Sequence, residues 1–199
     1  MDLLTARRGL ASLIILAATF GMAQLVLSQA SAPPGTGSRG ASLEYQVKAA
    51  YLLNFTRYVD WPSQVFQAPT DPVRVCVLGQ DPFGVVLDAT MQGKTTQGRP
   101  LAVRRVRSSS DAAGCHLVFI SRETWRTLRE LPRTLRSAGR LTVGESEEFA
   151  QAGGVIGFVI RDEAVRFVVN AEARDRAGLR ISSRMLSLAA AVYGQEARP

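Results

Sequence analysis

The sequence is poor in the side chains that most metal sites and nucleophilic enzymes need. Its 199 residues include one histidine, His116, and two cysteines, whereas a zinc site usually takes three or four His, Cys or carboxylate ligands. No Gly-x-Ser-x-Gly motif is present, and no pair of carboxylates stands out as a general acid and base. We therefore predict no catalytic residue, no metal and no cofactor. An exported hydrolase that uses His116 is the less favoured alternative.

The composition has no extreme bias either. Hydrophobic residues make up 46% of the chain and charged residues 21%, which excludes collagen, coiled coils and wholesale disorder. The formal net charge of +7 would suit nucleic acid, an anionic surface or an anionic ligand. Aromatic side chains are not interleaved with the arginines, so we do not expect nucleic-acid binding. The phosphate-loop-like segment Gly93–Thr95 lacks a required glycine, because Asp88 occupies that position, and we interpret it as a surface turn.

The N-terminal residues predict export. Arg7 and Arg8 precede the apolar stretch LASLIILAATFGMA at residues 10–23, which has the length of a signal-peptide core. We expect cleavage after Ala30 and a periplasmic mature protein. An uncleaved membrane anchor is the alternative, but residues 10–27 are marginal for a bilayer core of about 30 Å.

Short apolar strands alternate with helices in the remainder of the chain. VRVCVL at Val73–Leu78 and LVFIS at Leu117–Ser121 are typical strands, and residues 155–160 and 165–169 are spaced as a β-hairpin. Such an order predicts an α/β fold, with a mixed, mostly parallel sheet, helices on both faces and a late β-hairpin. The predicted division of the chain is a signal peptide at 1–30, a flexible linker at 31–42, a single domain at 43–193 and a tail at 194–199.

Three helices can be predicted from capping residues and apolar spacing. The pattern after Ser42 predicts a first helix at Leu43–Trp61, with Ser42 as its N-cap. Asp81 and Pro82 are the predicted N-cap and first residue of a short second helix. The apolar spacing over Ser182–Tyr193 predicts a final helix.

The two cysteines predict a disulfide. Cys76 lies in the first predicted strand, and Cys115 lies just before LVFIS. In an oxidising compartment an even number of cysteines is usually paired; two buried free thiols are the alternative. The spacing is not Cys-x-x-Cys, so we do not expect a redox-active pair.

Several polar residues stand where apolar ones would pack more easily, and they define a predicted ligand-binding cleft. Arg57 and Arg180 offer planar donors, and the helix start at Ser183 offers free backbone N–H groups. The alternative is local, because helix caps and solvated helix faces also use such residues. The candidate ligand-binding residues are Asn54, Arg57, Asn170, Arg180, Ser182 and Ser183.

Seven blocks of sequence, taken in order, resemble the YfiR family of periplasmic regulatory proteins. Each block is short, but together they cover nearly all of the predicted domain. The blocks are YQVKAAYLLNFTRYVDWP at Tyr45–Pro62, VCVLGQDPFG at Val75–Gly84, GRPLAVRRV at Gly98–Val106, CHLVFIS at Cys115–Ser121, LTVGE at Leu141–Glu145, FAQAGGVIGF at Phe149–Phe158 and FVVNAEARDRAGLRISSRMLSL at Phe167–Leu188.

The resemblance implies an exported α/β regulator without catalytic activity. Such a protein would hold an inner-membrane diguanylate cyclase inactive through its periplasmic sensor region, and would thereby control cyclic di-GMP and biofilm formation. The resemblance further implies a homodimer, an outer-membrane lipoprotein that sequesters the regulator, and a disulfide that Cys76 and Cys115 match. A second cysteine pair, which the type member carries near the position of Gly144–Gly154, is missing here.

Two classes of function are therefore open. In the first, exposed apolar side chains at Trp61, Phe83, Val155 and Phe158 bind the signalling protein. In the second, the chain is a periplasmic small-ligand sensor, and an anionic or aromatic ligand binds in the predicted cleft.

Overall fold

An eight-stranded sheet organises the described part of the chain. The computed structural model describes residues 36–128 and 130–194, with side chains from Leu43 onward. The predicted signal peptide, residues 31–35 of the predicted linker and residues 195–199 lie outside the described residues. The described residues from Gly37 onward belong to one compact unit. None of the helices in the described ranges is both long and apolar enough to cross a membrane.

Strands and helices alternate through most of the chain. The helices are α1 Thr36–Tyr58, α2 Val85–Met91, α3 Arg122–Leu128, α4 Glu147–Gln151, α5 Ala171–Arg176 and α6 Ser183–Leu186. Short 3-10 turns occur at Ser63–Val65 and Arg133–Arg136. The strands are β1 Val59–Asp60, β2 Val73–Leu78, β3 Thr95–Thr96, β4 Arg99–Val106, β5 Leu117–Ile120, β6 Leu141–Gly144, β7 Ile156–Arg161, β8 Ala164–Asn170, β9 Arg180–Ile181 and β10 Ala191–Tyr193.

The sheet is mixed but mostly parallel. Its strand order is β10-β8-β7-β6-β5-β2-β4-β3. The pairs β2–β4, β2–β5, β5–β6, β6–β7 and β8–β10 are parallel, whereas β7–β8 and β3–β4 are antiparallel. A separate antiparallel pair joins β1 to β9. The predicted α/β fold with a late hairpin is therefore confirmed.

Apolar side chains cover both faces of the sheet. Because successive residues of a strand point to opposite faces, the uncharged run Val75–Leu78 of β2 and the uncharged strand β5 supply two separate cores. The α1 side of the sheet buries Val75, Val77 and Phe119 together with Leu52 and Phe55 of α1. The opposite side buries Cys76, Val118, Ile120, Leu131, Leu135 and Phe149.

The first two helices begin at positions that differ from the predictions. α1 begins at Thr36, so residues 36–42 of the predicted linker are helical and Ser42 is not an N-cap. No proline lies between Pro34 and Pro62, so no proline prevents the helix from starting before Ser42. α2 begins only at Val85, because the Asp81 carboxylate accepts the Phe83 N–H at 2.8 Å and closes a turn instead.

The predicted final helix is mostly wrong. Only Ser183–Leu186 is helical, and Ala191–Tyr193 forms β10, parallel to β8. The Ala190 N–H donates to the Phe167 carbonyl at 2.8 Å, where the chain joins the sheet. Apolar spacing could not reveal that the edge of β8 offers backbone partners that compete with helical hydrogen bonds.

Candidate functional site

The two cysteines form a disulfide that links neighbouring strands. Cys76 lies in β2, and Cys115 lies two residues before β5, with a Cα–Cα distance of 6.0 Å. Both residues are buried. The predicted pairing is confirmed, and the alternative of two free thiols is wrong.

His116, beside this disulfide, is held by backbone groups. Its Nδ1 accepts the Arg74 N–H at 3.0 Å, its ring stacks on Phe66 at 4.5 Å, and the Trp61 Nε1–H donates to its carbonyl at 3.3 Å. Burial lowers the pKa of the imidazole. Burial thus favours the neutral ring, and its contacts give His116 a structural role in this position.

An open cavity of about 660 Å³ lies beside the carboxyl ends of β5, β6 and β7. Ligands of parallel α/β sheets usually bind outside the carboxyl ends of the strands, and cavities of 300–1,000 Å³ are typical of small-molecule sites. We call it the carboxyl-edge cavity. It is lined by Glu44, Lys48, Arg122, Trp125, Arg126, Glu145, Ser146, Glu147, Glu148, Phe158, Val159, Ile160 and Arg161.

A buried ion pair forms one wall of the carboxyl-edge cavity. The Lys48 Nζ lies 2.5 Å from Glu145 Oε1, and the two side chains are 2% and 1% exposed. Lys48 also contacts the carboxylate of Glu44, four residues earlier on α1, which is one-third exposed. Burying charges is costly unless each is paired, and here each buried charge has an opposite partner.

Additional groups hold the Glu145 carboxylate in place. Its Oε2 accepts the backbone N–H of Arg122 at 2.7 Å. The Tyr45 side chain also hydrogen-bonds to this carboxylate, and burial, followed by the negative charge of Glu145, raises the pKa of the phenol. The Lys48 ammonium lies 4.7 Å from the centre of the Tyr45 ring. Lys48, Tyr45 and Glu145 are thus fixed as one unit, of which Lys48 and Glu145 line the cavity.

The rest of the cavity wall carries charges of both signs. Arg161 pairs with Glu147 at 3.3 Å, and hydrogen bonds from its own backbone N–H and from Ser146 lower the pKa of Glu148. Four basic and four acidic side chains line the space, so the wall is neutral overall. Trp125 adds an aromatic surface, packed edge-on against Phe149 at 5.1 Å. Within residues 36–128 and 130–194, no three His, Cys, Asp or Glu side chains are placed to hold a metal ion.

The sequence analysis did not identify this site, although the sequence contains two signals of it. Lys48 interrupts the apolar side of α1 between Tyr45 and Leu52, where a charged residue needs a buried partner. Glu145 follows the buried strand β6 directly, and such a position lies at the carboxyl edge of a parallel sheet.

The predicted ligand-binding residues differ in burial and in contacts. Asn170 is buried and caps α5 by accepting the Ala173 N–H at 2.9 Å, and Ser182 caps α6 through the Met185 N–H. These two side chains have the local role that we gave as the alternative. Arg180 lies opposite Asp60 in the β1–β9 pair, which does bring the two ends of the domain together. The remaining three residues, Asn54, Arg57 and Ser183, are exposed.

The predicted partner-binding residues are not on the surface. Trp61, Phe83, Val155 and Phe158 are exposed by 7%, 3%, 2% and 1%. Phe83 packs on Phe119 at 4.7 Å, for example, because aromatic side chains contribute more to a core than to a solvated surface. The expectation that these four side chains are exposed is wrong.

Comparisons with known proteins show which family the chain belongs to. No curated protein sequence matches the chain. A crystal structure of the ABC domain in complex with L-Trp from Streptococcus pneumonia is similar at 10% sequence identity with a TM-score of 0.44, covering 75% of this chain and 60% of that one. The sequence profile of the YfiR/HmsC-like family, DUF4154, matches residues 45–190. Since this match covers well over half of the sequence, the chain belongs to the YfiR/HmsC-like family.

Proposed function

We propose that the protein is a periplasmic regulator without catalytic activity, which binds and represses the periplasmic sensor region of an inner-membrane diguanylate cyclase. The observation that carries the proposal is the family match over residues 45–190, because the family is consistent with periplasmic control of cyclic di-GMP. An outer-membrane lipoprotein that sequesters the regulator, and a homodimeric state, are parts of the same proposal.

The disulfide supports the proposed compartment. Disulfides persist in oxidising compartments such as the periplasm and are rare in the cytosol. The Cys76–Cys115 bond joins β2 to the segment just before β5 and connects two positions 39 residues apart. Cleavage after Ala30 would deliver the chain to that compartment, and N-terminal sequencing of the secreted protein would test it.

The regulator proposal is tested by its partner and by its output. We expect the purified protein to retain a membrane protein with a periplasmic sensor region and a cyclase domain from inner-membrane extract. We also expect deletion of the gene to raise intracellular cyclic di-GMP. Capture of a different class of sensor would leave a regulator but remove cyclic di-GMP. A deletion strain with unchanged cyclic di-GMP would contradict the repressor assignment.

A second function, small-ligand sensing, is favoured by the carboxyl-edge cavity. Its volume and position suit a small molecule, and Arg122 and Arg126 lie on its wall beside the Trp125 ring. These side chains fit an anionic or aromatic ligand. A ligand that binds one conformation of the regulator better than another would shift its affinity for the signalling protein. The two functions are therefore compatible.

Thermal-shift assays with nucleoside monophosphates and aromatic carboxylates test the sensor function. A ligand specific for the folded state stabilises it by RT ln(1 + [L]/Kd). If the cavity is the site, Arg122→Ala and Arg126→Ala will reduce the shift, while Arg57→Ala and Arg180→Ala will preserve it. The opposite result would return the site to the predicted cleft. No shift with any of these compounds would contradict the sensor function for both ligand classes.

A further inference from the structure

β4 lies near one edge of the sheet, and its outer side is only partly covered. The outer neighbour, β3, pairs with Arg99 and Pro100 alone, and the Leu101 N–H then donates to the Lys94 carbonyl at 3.2 Å. Beyond that bond, no described strand pairs with the outer side of β4. We call residues 101–106 the β4 edge. A strand edge with unpaired backbone groups can accept another chain as an added strand.

The hydrogen bonds of β4 show which backbone groups face outward. The Val106 carbonyl accepts the Gly79 N–H at 2.9 Å, on the side of β2, whereas the Leu101 N–H is directed away from β2. Because the backbone groups of successive residues point to alternate sides of a strand, the N–H and C=O groups of Val103 and Arg105 also face outward. Among the described residues, none forms a hydrogen bond with these four groups.

The segment that contains the β4 edge is strongly basic. Residues 94–110 include five basic residues and no acidic one. Two of the five are engaged within the fold, since Arg105 pairs with two aspartates and Arg99 donates to backbone carbonyls. The other three are exposed and form no ion pair with any described residue: Lys94, Arg104 and Arg107. A positive potential therefore surrounds the unpaired backbone groups.

We propose that the β4 edge binds an extended, acidic segment of a protein partner as an additional strand. In such β-augmentation, backbone hydrogen bonds provide the affinity and alternate side chains provide the specificity. Leu101 and Val103 are partly buried and pack against the core on the α1 side, whereas the exposed Arg104 side chain points to the opposite face. The segment that fits therefore alternates apolar residues beside Leu101 and Val103 with acidic residues beside Arg104.

A second copy of the chain does not fit this edge. Pairing two β4 edges would bring the basic side chains of both copies together, and like charges on neighbouring strands are destabilising. An acidic segment has the complementary charge, and in an extended conformation it can reach each outward backbone group between Leu101 and Arg105. Binding at this edge does not require the partner to be a cyclase, so the result of the cyclic di-GMP measurement leaves it unaffected.

A fluorescein-labelled peptide of alternating glutamate and valine, capped at both ends, tests the surface by fluorescence anisotropy. We expect this peptide to bind the wild-type protein, and the same peptide N-methylated at every amide not to bind. Arg104→Glu should weaken binding about tenfold, because it places like charges side by side. Arg166→Glu is the matched control, because Arg166 is an exposed arginine on the interior strand β8. That variant should bind the peptide as the wild type does.

Val103→Pro tests the contribution of the backbone. The substitution removes one outward N–H and no hydrogen bond to β2, and edge strands accept proline at such positions. We expect the variant to keep the wild-type circular dichroism spectrum and to lose binding of the peptide. Because Arg104→Glu leaves the backbone unchanged, it tests the same surface independently of any effect of proline on folding.

Amide hydrogen exchange distinguishes an added strand from simple charge attraction. In the free protein the N–H groups of Val103 and Arg105 should exchange quickly, whereas those of Ala102 and Arg104 face β2 and should be protected. Binding of the peptide should slow exchange at Val103 and Arg105. Failure of the peptide to bind, equal binding of its N-methylated form, full binding by Arg104→Glu, or a bound peptide without protection at Val103 would each overturn the proposal.

Discussion

At the residue scale, the Lys48–Glu145 ion pair is costly to bury, and it lies in the wall of the carboxyl-edge cavity. A buried ion pair contributes little net stability, because the cost of desolvation opposes the attraction between the charges. Removal of one partner is nevertheless costly, because the other charge is left buried and unpaired. Glu145 retains two further donors, Tyr45 and the Arg122 N–H, whereas Lys48 retains Glu44, which is one-third exposed. The pair therefore fixes α1 to the carboxyl end of β6, beside the cavity.

We expect Lys48→Met to lower the free energy of unfolding by about 3–5 kcal/mol, because it leaves the Glu145 carboxylate buried without its cation. The double variant Lys48→Met, Glu145→Gln should recover part of that loss, since no unpaired charge remains. Arg161→Ala is the control, because the Arg161–Glu147 pair is exposed and such pairs contribute about 1 kcal/mol or less. Urea unfolding measures all three. A double variant less stable than Lys48→Met would contradict this account.

His116 should make the stability depend on pH. Burial lowers its pKa below the ordinary 6.5, with Arg74, Arg99 and Asp71 as its charged neighbours. The unfolded chain then takes up the proton first, so the free energy of unfolding falls as the pH drops through 6.5. His116→Asn keeps an acceptor for the Arg74 N–H but does not titrate. Its unfolding free energy should change less between pH 7 and pH 5 than that of the wild type; equal slopes would contradict the assignment.

At the element scale, Asn170 connects three elements at the end of β8. Its Oδ1 caps α5 through the Ala173 N–H, its Nδ2 donates to the Ala150 carbonyl of α4 at 2.7 Å, and its backbone N–H donates to the Val155 carbonyl before β7. The side chain that we assigned to ligand binding thus holds α4 and α5 against the hairpin. Because α4 follows Ser146 on the cavity wall, this junction also supports the candidate site.

We expect Asn170→Ala to cost about 2 kcal/mol of stability, from the lost cap of α5 and the lost hydrogen bond to the Ala150 carbonyl, which keeps the Gly153 N–H as a donor. Ser146→Ala is the comparison, since Ser146 caps α4 through the Phe149 N–H and otherwise hydrogen-bonds to the exposed side chain of Glu148, and it should cost about 1 kcal/mol. Asn170→Asp keeps the cap but loses the donor to Ala150, so it should not restore full stability. If Asn170→Ala instead left the stability unchanged, Asn170 would again be a candidate for ligand binding.

The elements that sequence could predict are those whose signal is local. VRVCVL gave β2 with the bounds of the structure, Val73–Leu78, because a short apolar β-branched run suits a strand buried on both faces. β10 could not be predicted, because it forms by pairing with the edge of β8, and β8 lies 21 residues or more away in the sequence. The start of α2 was missed for a different reason, because Asp81 can cap either a helix or a turn.

The candidate site depended still more on distant contacts. Lys48 and Glu145 are 97 residues apart, and no spacing rule connects them. The disulfide was predictable because only two cysteines are available to pair. Trp61 and Phe83 were predicted to be exposed but are buried. A single aromatic residue beside a proline or glycine does not indicate whether other parts of the chain cover it.

At the scale of the whole molecule, the disulfide and the ion pair lie toward opposite ends of the parallel strands. Cys115 precedes β5, whereas Arg122 and Glu145 follow β5 and β6. Ligands of open α/β sheets bind outside the carboxyl ends of the strands, and the disulfide lies away from that edge. The covalent bond therefore fixes the central strands without occupying the edge of the sheet where the cavity lies.

The stability of the whole domain should depend on whether the Cys76–Cys115 disulfide is formed. A disulfide that links residues 39 positions apart stabilises the folded state by about 4 kcal/mol, chiefly by restricting the unfolded chain. We expect the Cys76→Ala, Cys115→Ala double variant to lose about this amount in urea unfolding, and wild-type protein in reductant to match the variant. The variant should keep the wild-type circular dichroism spectrum, because both positions lie in an apolar core that accepts alanine at some further cost. A loss below about 1 kcal/mol would mean that packing of β2 against β5 fixes these strands without the covalent bond, and the preference for an oxidising compartment would then lack a basis in stability.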